Sequence, residues 1–561
     1  MQIFPFRMHH ALLSLPLLCL LGCGSQQPTG TREIKERFAF DDITCASGLE
    51  FTYQNGSECG RFSIAETVGG GVGVLDYDLD GNPDFIFAAG GTFTDQAEPM
   101  GLQPELFRNL DGRFHHFGKK AGLVGCQAYN HSVTIADYDA DGFPDVLITG
   151  YGGLTLYRNQ GDGTFQEVTQ QTGLTERMWS TAAGWGDITG NGLLDLYVVH
   201  YLDWSPQNDP TCYLRGDIRD VCGPSKFRAL NDSLYIAQGD GTFVDGSESS
   251  GLIPEGRGLG VVLADFNGNG SLDIYVANDT DNNFLYFNDG SGKLRESGVV
   301  AGAAFDHSGK ADGSMGVSIF DFSGNDLPDI WVTNYENDSF ALYRNEAHER
   351  FTHISAAAGI YALGSSYVGW GTVTEDLNHD GKDEILVTNG HVFYRPTNGE
   401  KPQYPFLLQR ESERFQRYDF VDQDSYFSSK HDGRGVVVVD VDNDGAWDLV
   451  LTHINQPVRL LRNECPRKQP WLGIRLIGLH SNRDAIGARI TAMSPDSYRK
   501  SVFVYGGGSY LSSRDNRRIL AFPEGTTTAE LIIDWPSGYQ QRLTVNGLDR
   551  YVDVIEASSD K

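Results

Sequence analysis

The sequence predicts an all-β protein, a seven-bladed β-propeller followed by a small C-terminal β-sandwich-like domain. Three observations carry that prediction. A nine-residue acidic loop recurs seven times between residues 76 and 448, each copy is flanked by four strand signals, and the start of the chain holds a strand that the last repeat lacks. The 561 residues would ordinarily divide into several domains, but a repeat of this kind overrides length as a guide. With 40% hydrophobic residues the chain can bury a large core, and its formal net charge of −31 argues against nucleic acid or an anionic membrane surface as a partner. Cations suit that charge.

The first 22 residues read as an export signal: Arg7 precedes an apolar run from Ala11 to Leu21 that is too short to span a bilayer. Leu20-Leu21-Gly22-Cys23 resembles the lipobox of bacterial lipoproteins, which implies cleavage before Cys23, acylation of its thiol and a bacterial membrane, outer or cell-surface, as the place of attachment. An ordinary signal peptide with an accidental cysteine is the alternative. Residues 23–36 then form a lipidated, flexible tether. Export places the other cysteines in an oxidising compartment, where short spacing favours Cys45 with Cys59 and Cys212 with Cys222. The pairing of Cys126 and Cys465 stays open, and no CxxC pair points to zinc.

Residues 37–464 carry the propeller repeats. In the first loop Asp76, Asp78, Asp80, Asn82 and Asp84 stand at offsets 1, 3, 5, 7 and 9; the second has Asp137, Asp139, Asp141, Phe143 and Asp145, and the seventh Asp440, Asp442, Asp444, Ala446 and Asp448. The sixth has Asp376, Asn378, Asp380 and Glu384. The middle positions turn neutral in the third (Asp187, Thr189, Asn191, Asp195), the fourth (Asp265, Asn267, Asn269, Asp273) and the fifth (Asp321, Ser323, Asn325, Asp329). In a tight curl, side-chain oxygens at 1, 3 and 5 point inward, a glycine at 6 permits the turn, and the carbonyl at 7 with a carboxylate at 9 completes a shell of six to eight oxygens, which suits Ca²⁺ better than Mg²⁺. Simple turn formation by Asp, Asn and Gly is the bland alternative, weakened by seven copies at equal offsets. Carboxylates crowded around an empty loop repel by roughly 1–4 kcal/mol per close pair. Loops one, two and seven are therefore expected to bind most tightly, loop six next, and loops three to five weakly.

A small-residue strand leads into each loop, as in 69–75, and a β-branched strand leads out. A third strand follows, such as 154–159, and a fourth opens on an aromatic with a glycine eight residues later: Phe114 and Gly122, Phe165 and Gly173, Phe243 and Gly251, Phe351 and Gly359. Phe415 lacks the glycine, and the seventh repeat lacks the whole element. Phe40, Thr44, Gly48 and Leu49 match Phe165, Thr169, Gly173 and Leu174, so 38–49 are expected to close the ring. An open solenoid would not need that match.

The loops with their flanking strands resemble FG-GAP/VCBS repeats, the kind that build the integrin α-chain propeller. The stretch 470–557 is similar to the ASPIC/UnbV domain, through Asn482-Arg483-Asp484-Ala485-Ile486-Gly487-Ala488-Arg489, Gly506-Gly507-Gly508-Ser509-Tyr510-Leu511-Ser512 and Trp535-Pro536-Ser537-Gly538. Together they resemble bacterial relatives of the cartilage acidic proteins. The resemblance implies a calcium-binding propeller; the ASPIC/UnbV part implies no defined activity. On its own residues the C-terminal part reads as strands at 471–478, 487–494, 498–506, 528–535 and 551–556, and the glycines 506–508 as a bulge or turn, with a close-approach binding loop as the alternative.

Arg215-Gly216-Asp217 lies in an insertion between Cys212 and Cys222 and reads as an exposed turn; His115-His116 reads as surface. Two functions remain. The first is a monomeric, non-catalytic adhesion or recognition scaffold for a glycan or protein, touching a membrane only through its lipid. The second is a propeller enzyme of the polysaccharide lyase or dehydratase type, which no nucleophile or cofactor motif supports. Convergence of His, Tyr, Lys or Arg in one pocket would favour the enzyme.

Overall fold

The computed structural model describes residues 37–558 except Ser365 and Asp496, so the export signal, Cys23 and the whole of the tether lie outside the described residues. The chain is all-β, and among the described residues seven antiparallel sheets contribute four strands each to the ring. Their innermost strands are Val72–Leu75, Tyr129–Ala136, Ser180–Gly186, Gly258–Ala264, Ser314–Phe320, Gly369–Glu375 and Gly433–Val439, and each touches the next until the seventh meets the first. Almost every side chain in them is buried, because both faces of each blade pack against neighbours.

The two ends of the repeat region close the ring as the N-terminal match predicts. Phe40–Asp42 pairs antiparallel with Gln456–Asn463, placing Phe40 opposite Asn463. The spacing between aromatic and glycine has a physical cause. After the short fourth strand the chain makes one helical turn, as at Thr169–Thr172, and the glycine ends it in the left-handed region (φ 87° at Gly173). A Cβ there would stand 2.8 Å from the carbonyl oxygen of Phe243, the aromatic that opens the next blade's fourth strand. Gly122 meets Phe165, and Gly251 meets Leu294, in the same way. Glycine is thus demanded twice, by the backbone and by the neighbouring blade.

The C-terminal domain is a sandwich of two sheets. One joins Arg518–Ala521, Trp471–Ile477 and Arg550–Ile555; the other joins Arg499–Phe503, Arg489–Met493, Thr528–Asp534 and Gln540–Asn546. Leu472, Ile474, Ile490, Leu531, Ile533 and Trp535 fill the space between them. The strands at 518–521 and 540–546 are additions to the sequence reading; the latter is mostly exposed and polar, so it carries little apolar alternation.

Cys212 and Cys222 form a disulfide, which fits an oxidising, extracytoplasmic compartment. The expected pairing of Cys45 with Cys59 is corrected: both thiols are free and exposed. The segment between them bridges to Pro457, Ile454 and Gly90 at Thr52, Tyr53 and Gln54, and this extended run separates the two turns that hold the cysteines. Cys126 and Cys465 are also free, buried in different packing clusters. The insertion forms a hairpin, Cys212–Arg215 with Ile218–Asp220, which leaves Gly216 and Asp217 exposed at its turn. His115 and His116 lie exposed on the strand Arg113–His116. No helix among the described residues is long and apolar enough to cross a membrane.

Candidate metal centres

Each acidic loop is shaped by its own backbone before any ion is considered. In the first, the Asp76 carboxylate accepts hydrogen bonds from Asp80 N (2.9 Å) and Gly81 N (3.0 Å). Equivalent pairs converge on Asp137, Asp187, Asp265, Asp321, Asp376 and Asp440. The ninth carboxylate ties the loop to its blade: Asp84 accepts from Tyr77 N (3.1 Å) and from Asn109 N (2.8 Å) on the third strand. The curl needs left-handed backbone at two offsets. Offset 6 is glycine in six loops and Asp326 (φ 67°) in the fifth, where Arg499 and Ser501 hold the carboxylate. Offset 4 is the one the sequence reading missed: Leu79, Ala140, His379 and Asn443 are left-handed there, and Gly190, Gly268 and Gly324 take the place in loops three to five.

Three loops bring carboxylates together. Ligand atoms of Asp76, Asp78 and Asp84 lie within 4.8 Å of one another, as do those of Asp137, Asp139 and Asp145 and those of Asp440, Asp442 and Asp448. Burial, with further upward pushes from neighbouring carboxylates, raises Asp84 to about 8, Asp145 to about 9 and Asp137 to about 7. Asp78 Oδ1 is buried without a partner. Crowded, desolvated acceptors with an oxygen left over fit a hard dication, and offsets 1, 3 and 9 with the carbonyl at 7 would hold it. Arginines also reach these loops, at offsets 3 and 5 in loops one and two and at offset 5 in loop seven. Arg108 bridges Asp78 (2.5 Å) and Asp80 (3.4 Å), Arg158 bridges Asp139 (2.5 Å) and Asp141 (3.0 Å), and Arg467 takes Asp444 (2.7 Å).

Two of the neutral loops carry a hydroxyl donor to the ninth carboxylate. The Thr189 hydroxyl donates to Asp195 (3.1 Å) and the Ser323 hydroxyl to Asp329 (2.9 Å), and burial raises these two carboxyls only to about 6. Asn191, Asn269 and Asn325 each accept from the backbone N–H two residues on, at Leu193, Ser271 and Leu327. Asn267 Oδ1 accepts from Asn269 N, and buried Asp273 is pushed well up. In loop six, Asn378 accepts from Asp380 N, Arg37 pairs with Asp380, Glu384 keeps one buried oxygen unpartnered, and Lys500 lies 3.8 Å from Asp376. Asn82, Phe143 and Ala446, at offset 7, each donate their N–H to the offset-5 carboxylate.

Lys500 belongs to the C-terminal domain, which docks on this face of the ring. Asp484 Oδ2 accepts from Asp137 N (2.9 Å), Arg483 stands 3.7 Å from Asp137, and the Tyr551 hydroxyl donates to Asp440 (2.6 Å). The glycines at 506–508 leave that domain and enter the ring's axis. Gly506 and Gly507 pair with Leu263 and Val262, Ser509 bridges to Val317, and Ser513 to Gly73. A Cβ at Gly506 would lie 2.0 Å from Trp185 O, and Tyr510 packs its ring 4.8 Å from Trp370. The close-approach reading therefore holds, with the propeller itself as the object approached. At the other end of the axis, His131, His200 and Tyr129 are fully buried among Trp179, Tyr201 and Trp204, and burial lowers both histidines to about 3. These groups are core.

The profile of the FG-GAP-like repeat matches residues 76–148, 137–198, 227–276, 265–332 and 321–387, and that of the ASPIC and UnbV domain matches 478–561. Cartilage acidic protein 1 of Mus musculus is 21% identical over 424 residues, covering 72% of this chain and 61% of its own length. That of Homo sapiens is 21% identical over 491 residues, covering 83% and 69%. Among solved structures, an Agrocybe aegerita lectin specific for non-reducing terminal N-acetylglucosamine aligns at a TM-score of 0.36 and 16% identity, over 62% of this chain and 79% of its own. Saccharomyces cerevisiae Sqt1 aligns at 0.39 and 10%, over 77% and 100%.

Proposed function

The chain belongs to the FG-GAP-like repeat family and carries an ASPIC and UnbV domain, and from that premise we propose that it is a calcium-stabilised, non-catalytic recognition scaffold, held at a bacterial membrane by a lipid on Cys23. The observation that supports the calcium reading is the convergence of three carboxylates, the ninth-position one buried in each case, in each of loops one, two and seven. The filled axis supports a non-catalytic role, because the place where a propeller commonly keeps a polar channel is occupied by Tyr510, Leu511 and the aromatic core beyond them.

Recognition is assigned to a cleft of about 310 Å³ between the C-terminal domain and loops four and five. Its walls include Tyr539, Pro536, Phe503 and Leu327, with Arg489 and Asp534 between them. A stacking surface beside hydrogen-bonding groups suits a sugar ring or an aromatic-bearing peptide. The test is capture from arrays of glycans and extracellular proteins in millimolar calcium and again in EDTA. The expected ligand is retained with calcium, lost on chelation, and weakened about tenfold by Tyr539→Ala. Retention that ignores both calcium and Tyr539, or turnover of a polysaccharide, would sink the proposal. Cys23→Ser is expected to move the protein from the membrane to the soluble fraction; a variant still sedimenting with membranes would remove the anchor.

A further inference from the structure

One register position at the end of the third strand links the acidic loops to one another. Asn159 N donates to Asp145 Oδ1 (2.7 Å) in its own loop, while its side-chain amide donates to the carbonyl of Tyr77 (2.8 Å), the second residue of the preceding loop. The same two-sided contact recurs around the ring. Asn109 joins Asp84 to Val441 (3.3 Å), Asn288 joins Asp273 to Ile188 (2.8 Å), Asn345 joins Asp329 to Phe266 (2.8 Å) and Asn463 joins Asp448 to Leu377 (2.8 Å). At the sixth blade only half of the contact is made: Arg410 donates to the Phe322 carbonyl (2.7 Å), while one oxygen of Glu384 stays buried without a partner. Ala237 occupies the position in the third blade: its N–H reaches Asp195 (2.9 Å), but it has no side-chain donor for the second loop.

Each receiving carbonyl follows directly on a loop's first carboxylate, and in most loops the N–H of the same residue donates to the ninth, as Tyr77 N does to Asp84 (3.1 Å). The asparagine is therefore held on one side by an ion-binding carboxylate and grips, on the other, the peptide between two ligands of the next loop. A shift of either loop on taking up an ion would reach its neighbour through that one amide.

We infer that these residues make the acidic loops two runs of coupled sites, one from loop two through loops one and seven to loop six and one from loop five through loop four to loop three, interrupted at Ala237 between loops two and three and at Arg410 between loops six and five. The inference rests on the calcium reading of the loops. Asn109 and Asn159 act as positioning residues, since neither contributes a ligand to the loop it grips.

The coupling is read by hydrogen-exchange mass spectrometry of peptides covering 76–84, 137–145 and 187–195 across a calcium titration, which gives each loop its own midpoint. Disabling loop one with Asp76→Asn is expected to weaken calcium protection of loop two about fivefold in an otherwise natural chain and by less than about twofold when Asn159→Ala is also present. Disabling loop two with Asp137→Asn should leave loop three unchanged, because Ala237 interrupts that junction. Asn109→Ala, which removes the longest of these contacts, repeats the test between loops seven and one should Asn159→Ala fold poorly. Calcium protection that is present but independent from loop to loop overturns the coupling alone. A natural chain with no calcium-dependent protection overturns the calcium reading with it.

Discussion

Chelating calcium is expected to lower the thermal midpoint of this protein by about 4 °C at pH 8, and by much less at pH 5. At millimolar ion and a dissociation constant of ~10⁻⁴ M each occupied loop contributes ~1.4 kcal/mol, and more if it binds more tightly. Protons set the pH dependence. Burial raises the carboxyls of Asp137, Asp84 and Asp145 to about 7, 8 and 9 in the metal-free fold, against an ordinary value near 3.8. Between those limits the folded chain holds protons that the unfolded chain has released, so metal-free stability is fully present below pH 4 and drains away as pH rises toward 9. Bound calcium would replace the protons and remove the loss. The gap between loaded and chelated protein therefore widens with pH, as scanning fluorimetry with and without EDTA can measure. Equal midpoints at pH 8 would sink the calcium reading.

Much of this was legible in the sequence because the acidic loop is local: offsets 1, 3, 5, 6 and 9 are fixed by one turn of chain, whatever surrounds it. The ring closure was legible too, since Phe40 to Leu49 repeat a pattern whose partners are strands of their own blade. What escaped depends on neighbours distant in sequence. The Arg-Asn pair at 158–159 recurs as a strand ending, yet the role of its asparagine lies with Tyr77, 82 residues away. Nor does spacing reveal that Arg108, Lys500 and Tyr551 would meet the loops, or that an extended run would part Cys45 from Cys59. The glycines at 506–508 looked like a turn because a close approach leaves no mark except the absence of side chains.

Filling that approach is expected to do the greatest damage. In Gly506→Val the new Cβ would lie 2.0 Å from Trp185 O, a backbone atom that cannot move without breaking the pairing of Ser180–Gly186 with Asp195–His200. The insert then cannot seat, and the C-terminal domain should come away from the ring, cut readily by proteases between residues 464 and 470. Tyr510→Ala is the milder form of the same test. Its ring is fully buried against Trp370, so truncation leaves a cavity costing about 3–5 kcal/mol in denaturant unfolding while the glycines still fit. The two variants separate seating from packing. If Gly506→Val resists proteolysis as the natural protein does, the axis has room to spare and the insert is not what holds domain and propeller together; if it falls apart while Tyr510→Ala only softens, backbone complementarity between the insert and the inner strands does.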